Sequence, residues 1–308
     1  MSKIIILGGD GYIGSRLKVD LDQNHEVTAV DTGWFSKNRL GFIQEDFKNL
    51  SGEFLQSFDC VILLAGHSSV NMCQGEIKDA FQNNVQNFLS LISKLNTKQK
   101  FIYASSSSVY GNSGSARVDE SYTDFIPHNH YDITKHIIDL YMPKFDVEYY
   151  GLRFGTVNGY SPKMRSDVMI NSMIYNAQTN GHIKLYIKDV MRPILGISDL
   201  SLAVQKIISS SGDKRGIYNL ASFNMTAEDI AIEVSRVTGF PIQEVNTEST
   251  PSTNSKLQTK SYNFSIDCSK FENEFGFSFS ETVESICLGI MQNYDSIIFS
   301  NRSDVKEY

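Results

Sequence analysis

A tyrosine and a lysine one helical turn apart are the first chemical feature of this 308-residue sequence. Four positions separate Tyr131 from Lys135, which places both side chains on one face of a helix. An ammonium favours the phenolate and is expected to lower a tyrosine pKa from about 10 towards neutrality. Such a phenol can act as a general acid or base. Since a chain with 15 tyrosines holds about one such pair by chance, the pair needs context.

Four consecutive serines supply part of that context. Ser105 to Ser108 end a short apolar strand predicted over Lys100–Ala104. A hydroxyl at the carboxyl end of that strand could orient the Tyr131 phenol and polarise a substrate C–OH or C=O. Serines are also common in turns and helix caps, so this alternative stays open.

A glycine-rich loop follows the first apolar strand, Lys3–Leu7, and opens a helix predicted over Ile13–Leu21. Glycines allow the tight turn and let backbone N–H groups approach a pyrophosphate at the helix N-terminus. The strand, the glycines and the helix together predict a dinucleotide site. Its predicted cofactor-binding residues in this loop are Gly8, Gly11, Tyr12, Ile13 and Gly14.

An acidic residue ends the second predicted strand, 26–31. Asp31 lies 20 residues beyond Gly11, the spacing expected for a carboxylate that accepts hydrogen bonds from the ribose hydroxyls of NAD. The same carboxylate repels a 2′-phosphate, so NAD is the predicted cofactor. Lys37 and Arg39 follow closely and keep NADP open as an alternative.

Further cofactor contacts are expected after the third and fourth strands. Asp46, with its neighbour Phe47, is placed to meet the adenine. Leu64, Ala65 and Gly66 end the buried strand predicted over 59–65, where ligands lie in open α/β sheets.

Buried strands alternate with helices through the first half, which predicts an α/β fold: a Rossmann-like, doubly wound parallel sheet. The second half is less regular and predicts a smaller C-terminal substrate-binding lobe. The predicted NAD-binding domain is 1–158, with 191–222 returning to it; 159–190 and 223–308 mainly form the lobe. Other predicted segments are helices at 81–95, 131–142, 168–178, 200–208 and 226–237, strands at 147–154 and 182–187, and a loop at 246–261.

Composition excludes several classes of function. The net charge of −7 argues against nucleic acid or an anionic membrane surface as partner. No apolar run reaches the roughly 18 residues of a membrane span, and no signal peptide is predicted. Four scattered cysteines fit a cytoplasmic protein with reduced thiols. Six histidines without metal-ligand spacing predict no metal site.

Taken in order, these motifs resemble one family. The chain is similar, nearly end to end, to extended short-chain dehydrogenases/reductases, the NAD-dependent sugar epimerase/dehydratase family. The resemblance rests on the glycine loop, Asp31, the 64–66 strand end, Asn84-Val85, the serine run with Val109-Tyr110-Gly111, Tyr131 with Lys135, Leu152-Arg153, Arg192-Pro193, Tyr218-Asn219-Leu220 and the 269–277 segment.

The resemblance implies roles for individual residues. Tyr131 is the acid/base, Lys135 tunes it and holds the nicotinamide ribose, and Ser106, four positions before Tyr110, orients the substrate. A nucleotide-diphosphate sugar is the implied substrate and a homodimer the implied assembly, pairing the helices that carry 85–95 and 131–142. The implied substrate contacts are Ser68, Ser107, Ser108, Thr156 and Arg192.

Departures from the family's patterns narrow the reaction. Its dehydratases carry an acidic pair directly after the hydroxyl residue, where this chain has Ser107 and Ser108, so dehydration is disfavoured. Epimerisation, most simply at C4, fits a cycle in which NAD is regenerated. A 4-keto-sugar reductase using NADH or NADPH is the alternative, and a non-catalytic dinucleotide-binding protein is the second alternative.

Overall fold

The structure is a computed structural model that describes residues 1–34, 41–114, 116–124, 126–211, 214–245 and 262–300. Lys37, Arg39 and the loop predicted at 246–261 lie outside the described residues. The strands are β1 Lys3–Leu7, β2 Glu26–Asp31, β3 Ile43–Gln44, β4 Cys60–Leu63, β5 Lys100–Ser106, β6 Arg117–Val118, β7 Glu148–Phe154, β8 Thr156–Asn158, β9 Lys163–Arg165, β10 Ile183–Leu185, β11 Met191–Gly196, β12 Gly216–Leu220, β13 Phe223–Thr226, β14 Ile242–Glu244, β15 Ser265–Ile266 and β16 Ile298–Ser300. The α-helices are α1 Tyr12–Leu21, α2 Gly52–Leu55, α3 Val70–Gly75, α4 Ile77–Phe81, α5 Phe88–Ile92, α6 His130–Tyr141, α7 Met169–Asn180, α8 Ile197–Ser209, α9 Ala227–Thr238, α10 Ser269–Phe275 and α11 Val283–Gln292.

Seven parallel strands form the central sheet, in the order β12-β7-β5-β4-β1-β2-β3. The chain winds outwards from β1 in both directions, so the predicted doubly wound sheet is confirmed. The direction reverses between β1 and β4, and ligands in such sheets bind outside the carboxyl ends at this point. The loops that follow β1 and β4 are therefore the expected location of the ligand-binding site.

Continuous apolar sequence explains why these strands are central. Ile4 to Leu7 on β1 and Val61 and Ile62 on β4 are all fully buried, because helices cover both faces of a parallel sheet. One face packs against α1 and α8, and the other against α5 and α6. The helix that carries Tyr131 is thus held directly on the sheet.

Smaller sheets lie beyond β7. The strand β8 pairs with β11, which also pairs antiparallel with β13. Helices α7, α9 and α11 pack on one another around an apolar core continuous with one face of the central sheet. Among the described residues, no helix is both long and apolar enough for a membrane crossing.

Three differences from the sequence prediction lie close to the predicted site. The helix predicted at 81–95 is divided into α4 and α5 by a π-helical turn, Gln82–Asn87. β4 is shorter than predicted. β5 continues through Ser106, because this backbone still pairs with β7 up to Phe154, and Ser107 opens a short 3-10 turn.

Candidate functional site

A cleft runs over the carboxyl ends of β1, β4 and β5. It consists of two adjoining cavities of about 310 and 390 Å³ that share lining residues from the loops after β1 and β4. Every sequence-predicted site residue lines one cavity or the other. The first is lined by Gly8, Gly11, Tyr12, Ile13, Gly14, Leu64, Gly66, Ser68, Ser106, Ser107, Ser108, Tyr131, Lys135, Thr156 and Arg192. The second adds Asp31, Asp46, Phe47 and Ala65.

The glycine loop owes its shape to close backbone approaches. Gly8 has a φ of +90°, and a Cβ there would lie 2.5 Å from the backbone nitrogen of Ala65. A Cβ on Gly14 would lie 2.2 Å from the Gly8 carbonyl oxygen. The helix α1 begins directly after Gly11, with no side chain of the described residues capping it. Its first N–H groups therefore face the cleft as donors for an anion.

Asp31, at the end of β2, contacts the glycine loop directly. Its Oδ2 accepts a hydrogen bond from the backbone N–H of Asp10 (3.1 Å), and its Oδ1 accepts one from Gly33 (2.8 Å). These bonds fix the carboxylate in the second cavity, where a carboxylate oxygen can accept a hydrogen bond from a ribose hydroxyl. The anion-binding helix end and the fixed carboxylate fit the pyrophosphate and the ribose of NAD.

Lys163 closes on this loop from the C-terminal half of the chain. Its ammonium pairs with the Asp10 carboxylate, and the neighbouring Arg165 binds Asp167 through two nitrogens, at 2.9 and 2.7 Å. Arg165 Nη1 also donates to the Ser68 carbonyl (3.4 Å), so the two cations link β9 to the glycine loop and to the loop after β4.

The loop after β4 is anchored by a buried amide. Gly66 has a φ of +146°, and a Cβ there would lie 2.6 Å from Asn84 Oδ1. Asn84 accepts a hydrogen bond from the His67 backbone N–H (2.8 Å) and donates to Thr134 Oγ1 on α6 (3.2 Å). Since Asn84 lies in the π-helical turn, that irregularity is what aims its side chain at both the loop and α6.

Helix α6 brings the predicted catalytic pair into the first cavity. Asn129 caps the helix by accepting a hydrogen bond from the Asp132 backbone N–H (2.9 Å). Lys135 Nζ donates to the Ala104 carbonyl on β5 (2.7 Å) and lies 5.8 Å from the centre of the Tyr131 ring. The sequence spacing thus produces the expected shared face.

The pKa of Tyr131 does not follow the expectation from that spacing. Burial raises the pKa of Tyr131 to about 12, and a hydrogen bond with Ser106 opposes the rise. Burial also lowers the pKa of Lys135, to about 8. The Lys135 ammonium is hydrogen-bonded to the Ala104 carbonyl on β5. Its positive charge does not offset the cost of burying a phenolate at Tyr131, so the Tyr131 pKa stays raised. Deprotonating Tyr131 therefore needs more than Lys135 alone.

The serines after β5 have distinct partners. Ser106 Oγ lies 2.7 Å from Ser108 Oγ and accepts a hydrogen bond from the Ser108 backbone N–H (3.2 Å). Ser107 donates its proton to the Phe154 carbonyl (2.8 Å). Ser106 is the serine whose hydrogen bonding opposes the rise of the Tyr131 pKa, while its role in orienting the substrate stays a prediction. Toward a ligand, the Ser107 hydroxyl can only accept.

Asp132, which follows Tyr131 directly, was not among the predicted site residues. Its carboxylate is fully buried and accepts hydrogen bonds from Ser108 Oγ, Asn129 Nδ2 and the Tyr262 hydroxyl (2.7 Å for the last). Burial raises its pKa. The sequence did contain a signal for Asp132. A carboxylate in the first turn of a helix, next to a candidate catalytic tyrosine, is itself a candidate site residue.

Tyr262 and Phe264 also line the first cavity and were missed. Both residues lie more than 120 positions beyond Tyr131 in the sequence, and no local motif predicts that they belong to the site. Arg192, predicted from its family position, faces the same cavity, and burial lowers its pKa. Thr156 and Ser68 also line this cavity.

Comparisons with known proteins agree with this geometry. Residues 4–221 match the model of the NAD dependent epimerase/dehydratase family. A UDP-glucose 4-epimerase from Klebsiella pneumoniae is 33% identical over 128 residues, which are 35% of this chain and 92% of that protein.

Solved structures share the fold over nearly the whole chain. MoeE5 in complex with UDP-glucuronic acid and NAD has a TM-score of 0.80 at 20% identity, covering 96% of this chain and 100% of that one. The UDP-glucuronic acid 4-epimerase from Bacillus cereus has a TM-score of 0.77 at 22% identity, covering 96% and 98%. The predicted family and the predicted cofactor, NAD, are confirmed, and the chain belongs to the NAD-dependent epimerase/dehydratase family.

Proposed function

We propose that this protein epimerises C4 of a nucleotide-diphosphate sugar by transient oxidation to the 4-keto sugar. The observation that carries the proposal is the placement of Tyr131, Ser106 and Lys135 in the cavity that adjoins the dinucleotide fingerprint. The positions after Ser106 are the neutral Ser107 and Ser108, so the carboxyl pair needed to eliminate water is not supplied there. Oxidation and return of hydride are the chemistry that remains.

Tyr131 is proposed as the base that takes the proton of the C4 hydroxyl. Ser106 orients the Tyr131 phenol towards that oxygen, and Lys135 binds the nicotinamide ribose. Bound NAD supplies the hydride acceptor and donor. Once the keto sugar has turned in the cleft, Tyr131 returns the proton and the C4 configuration is inverted.

The two halves of the chain are proposed to divide the ligands. Residues 1–158, with 191–222, carry the NAD contacts, and 159–190 with 223–308 mainly hold the sugar nucleotide. Support comes from Arg165, Tyr262 and Phe264, which reach the first cavity from the second set. Arg192 is proposed to bind the diphosphate through its guanidinium.

Arg165 also bears on the sugar. Its positive charge is close enough to Tyr131 to oppose the rise of the tyrosine pKa, so it lies at the catalytic end of the cleft. Asp167 holds Nε and Nη2 of this guanidinium, and Nη1, which donates to the Ser68 carbonyl, has a second N–H that suits a sugar carrying a carboxylate. Because solved neighbours bind UDP-glucuronic acid, that compound belongs among the substrates tested.

Proton NMR on the purified protein tests the proposal. The protein is incubated without added cofactor with UDP-glucose, UDP-N-acetylglucosamine, UDP-glucuronic acid and the corresponding dTDP-, GDP- and CDP-hexoses. A new anomeric signal that matches the C4 epimer is the expected result. Turnover that requires a 4-keto sugar with NADH or NADPH would instead establish the reductase, and silence in both assays would favour the non-catalytic alternative.

We further propose a homodimer formed through α4 and α6. Ile77 and Phe81 on α4 and Ile133 on α6 are exposed and line one groove of about 320 Å³. Val85, by contrast, is buried in the monomer, so the contact lies nearer the start of that helical segment than the sequence implied. Light scattering during size-exclusion chromatography should give twice the chain mass, and Phe81→Glu should give a monomer.

We also propose a cytoplasmic location. The four cysteines are free and buried, which is in keeping with a reducing compartment.

A further inference from the structure

A chain of hydroxyl groups joins Tyr131 to the buried carboxylate of Asp132. Ser108 Oγ donates its proton to Asp132 Oδ1. Ser106 Oγ lies 2.7 Å from Ser108 Oγ. Ser106 and Tyr131 line the same cavity, and Ser106 lies close enough to the phenol for hydrogen bonding to oppose the rise of the Tyr131 pKa. Tyr131 and Asp132 are adjacent in sequence, yet their side chains are connected through two serines on another element.

The donors along this chain all point the same way. Because Ser108 gives its proton to Asp132, its oxygen is left as the acceptor for the Ser106 hydroxyl. Ser106 then has no proton to offer Tyr131, so a neutral Tyr131 donates to Ser106. A proton shift along the aligned bonds removes a proton from Tyr131 and adds one to Asp132.

We propose that Asp132 is the proton-storing end of a relay, Tyr131–Ser106–Ser108–Asp132, that lets Tyr131 act as a base without releasing a proton to solvent. The relay rests on the proposed epimerisation. As the C4 hydride goes to NAD, the C4 hydroxyl proton goes to Tyr131 Oη. The proton of Tyr131 goes to Ser106, that of Ser106 to Ser108, and that of Ser108 to Asp132 Oδ1.

The step balances. C4 ends as a carbonyl, each hydroxyl oxygen regains the proton it loses, and Asp132 ends protonated. Return of hydride to the other face of C4 reverses every shift. The remaining partners of Asp132 fit this role: Asn129 Nδ2 and the Tyr262 hydroxyl donate to Oδ2, which leaves Oδ1 for the exchanged proton.

Burial makes the exchange easier. It raises the pKa of Asp132 above that of an ordinary aspartic acid, which narrows the gap to Tyr131. It also makes loss of the Tyr131 proton to water costly, since the pKa of Tyr131 is about 12. Moving a proton between the two groups keeps the net charge of the pair constant.

The test compares the pH dependence of epimerisation in the holoenzyme and three variants. Wild type should show a kcat that is flat around neutrality, because its proton never leaves the protein. Asp132→Asn keeps the shape and the backbone donor to Asn129 but cannot store a proton. Its kcat should fall at least about tenfold at pH 7 and recover by up to about tenfold per pH unit, because Tyr131 must now ionise to solvent.

Ser108→Ala keeps the carboxylate and breaks the relay, and it should show the same sloping profile. Ser108→Thr restores a hydroxyl and should restore the flat profile. Asp132 is faced by His128 and Tyr262, and Tyr131 by Arg165, Cys73 and Lys135. Every variant keeps these groups, so differences between the profiles report the relay.

Other outcomes overturn the proposal. A loss of kcat that is uniform across pH in Asp132→Asn and Ser108→Ala would make Asp132 a structural anchor of α6. Profiles as flat as that of wild type would show that Tyr131 exchanges its proton without Asp132 or Ser108. In both cases wild-type epimerisation would leave the proposed function standing.

A titration of tyrosinate absorbance, referenced to Tyr131→Phe, needs no substrate and separates the two proposals. Removing the Asp132 charge should lower the pKa of Tyr131, because that charge opposes the phenolate. If wild type epimerises none of the sugars, the proposed function fails while this shift supports the link between the two groups. An unchanged Tyr131 pKa would overturn the link itself.

Discussion

Arg153 on β7 donates to Asp139 on α6 across 2.8 Å, and both side chains are buried. Asp139 also accepts hydrogen bonds from Ser105 (2.9 Å) and from the Tyr103 hydroxyl (3.0 Å), both on β5. The helix that carries the catalytic pair is therefore fastened to two neighbouring strands by one carboxylate. Its position relative to the serines of β5 depends on this contact.

Removing that carboxylate should destabilise the protein. Asp139→Asn leaves Arg153 buried without its counter-charge, which costs about 3–5 kcal/mol of unfolding free energy. Urea denaturation measures the loss. Asp22→Asn, in an exposed pair with Lys18, is the control and should cost less than about 1 kcal/mol. Equal effects in the two variants would contradict a structural role for the Arg153 contact.

Tyr131→Phe should lower kcat by about 10²–10⁴-fold, because the variant has no group to exchange a proton with the C4 hydroxyl. NAD content, measured after denaturation of the purified protein, should stay at the wild-type level. Tyr186→Phe, on an exposed tyrosine outside the cleft, is the matched control. Full turnover in Tyr131→Phe would refute the assigned role of the phenol.

Asp31→Asn should shift the cofactor preference. One backbone donor, from Asp10 or Gly33, loses its acceptor and the ribose loses a charged partner, so NAD affinity should fall by about tenfold or more. NADP should lose less, since the charge that repels its 2′-phosphate is gone. Calorimetric titration of both nucleotides gives the ratio. Glu26→Gln, at the other end of β2, is the control for the change in net charge. If Asp31→Asn left the ratio of NAD to NADP affinity unchanged, the proposed contact between Asp31 and the ribose would be wrong.

The parts of the site predicted from sequence share one physical origin. Gly8, Gly14 and Asp31 lie within about 25 residues of one another, and the strand–turn–helix geometry that joins them is local. Tyr131 and Lys135 lie one helical turn apart, so their shared face follows from helix geometry. A local motif can be read without knowing how distant segments pack.

The parts that were missed depend on packing between distant elements. Tyr262 meets Asp132 only after the C-terminal segment folds against α6, and the sequence around neither residue encodes that contact. The prediction that Lys135 lowers the pKa of Tyr131 was wrong for the same reason. Spacing placed Lys135 nearby, but the burial of Tyr131 and the bond from Lys135 to Ala104 decide the outcome.

Lys135 should lower the stability of the protein at neutral pH. Burial shifts its pKa from 10.5 to about 8, which corresponds to roughly 3 kcal/mol at about 1.4 kcal/mol per pKa unit. Below pH 8 both the folded and the unfolded chain hold the proton, so the full cost is present. Between pH 8 and 10.5 the folded state loses its proton first, the unfolded state binds more protons, and stability rises with pH.

Lys135→Met removes the charge while keeping a long apolar side chain. Urea denaturation of cofactor-stripped wild type and variant, from pH 7 to 10.5, should give a stability difference in favour of the variant that is largest below pH 8 and shrinks by roughly 3 kcal/mol as the pH rises. Tyr131 titrates in both proteins, so its contribution largely cancels. A difference that is constant with pH would show that Lys135 keeps its ordinary pKa in the fold, and that the ammonium which the reaction requires is held there at no cost in stability.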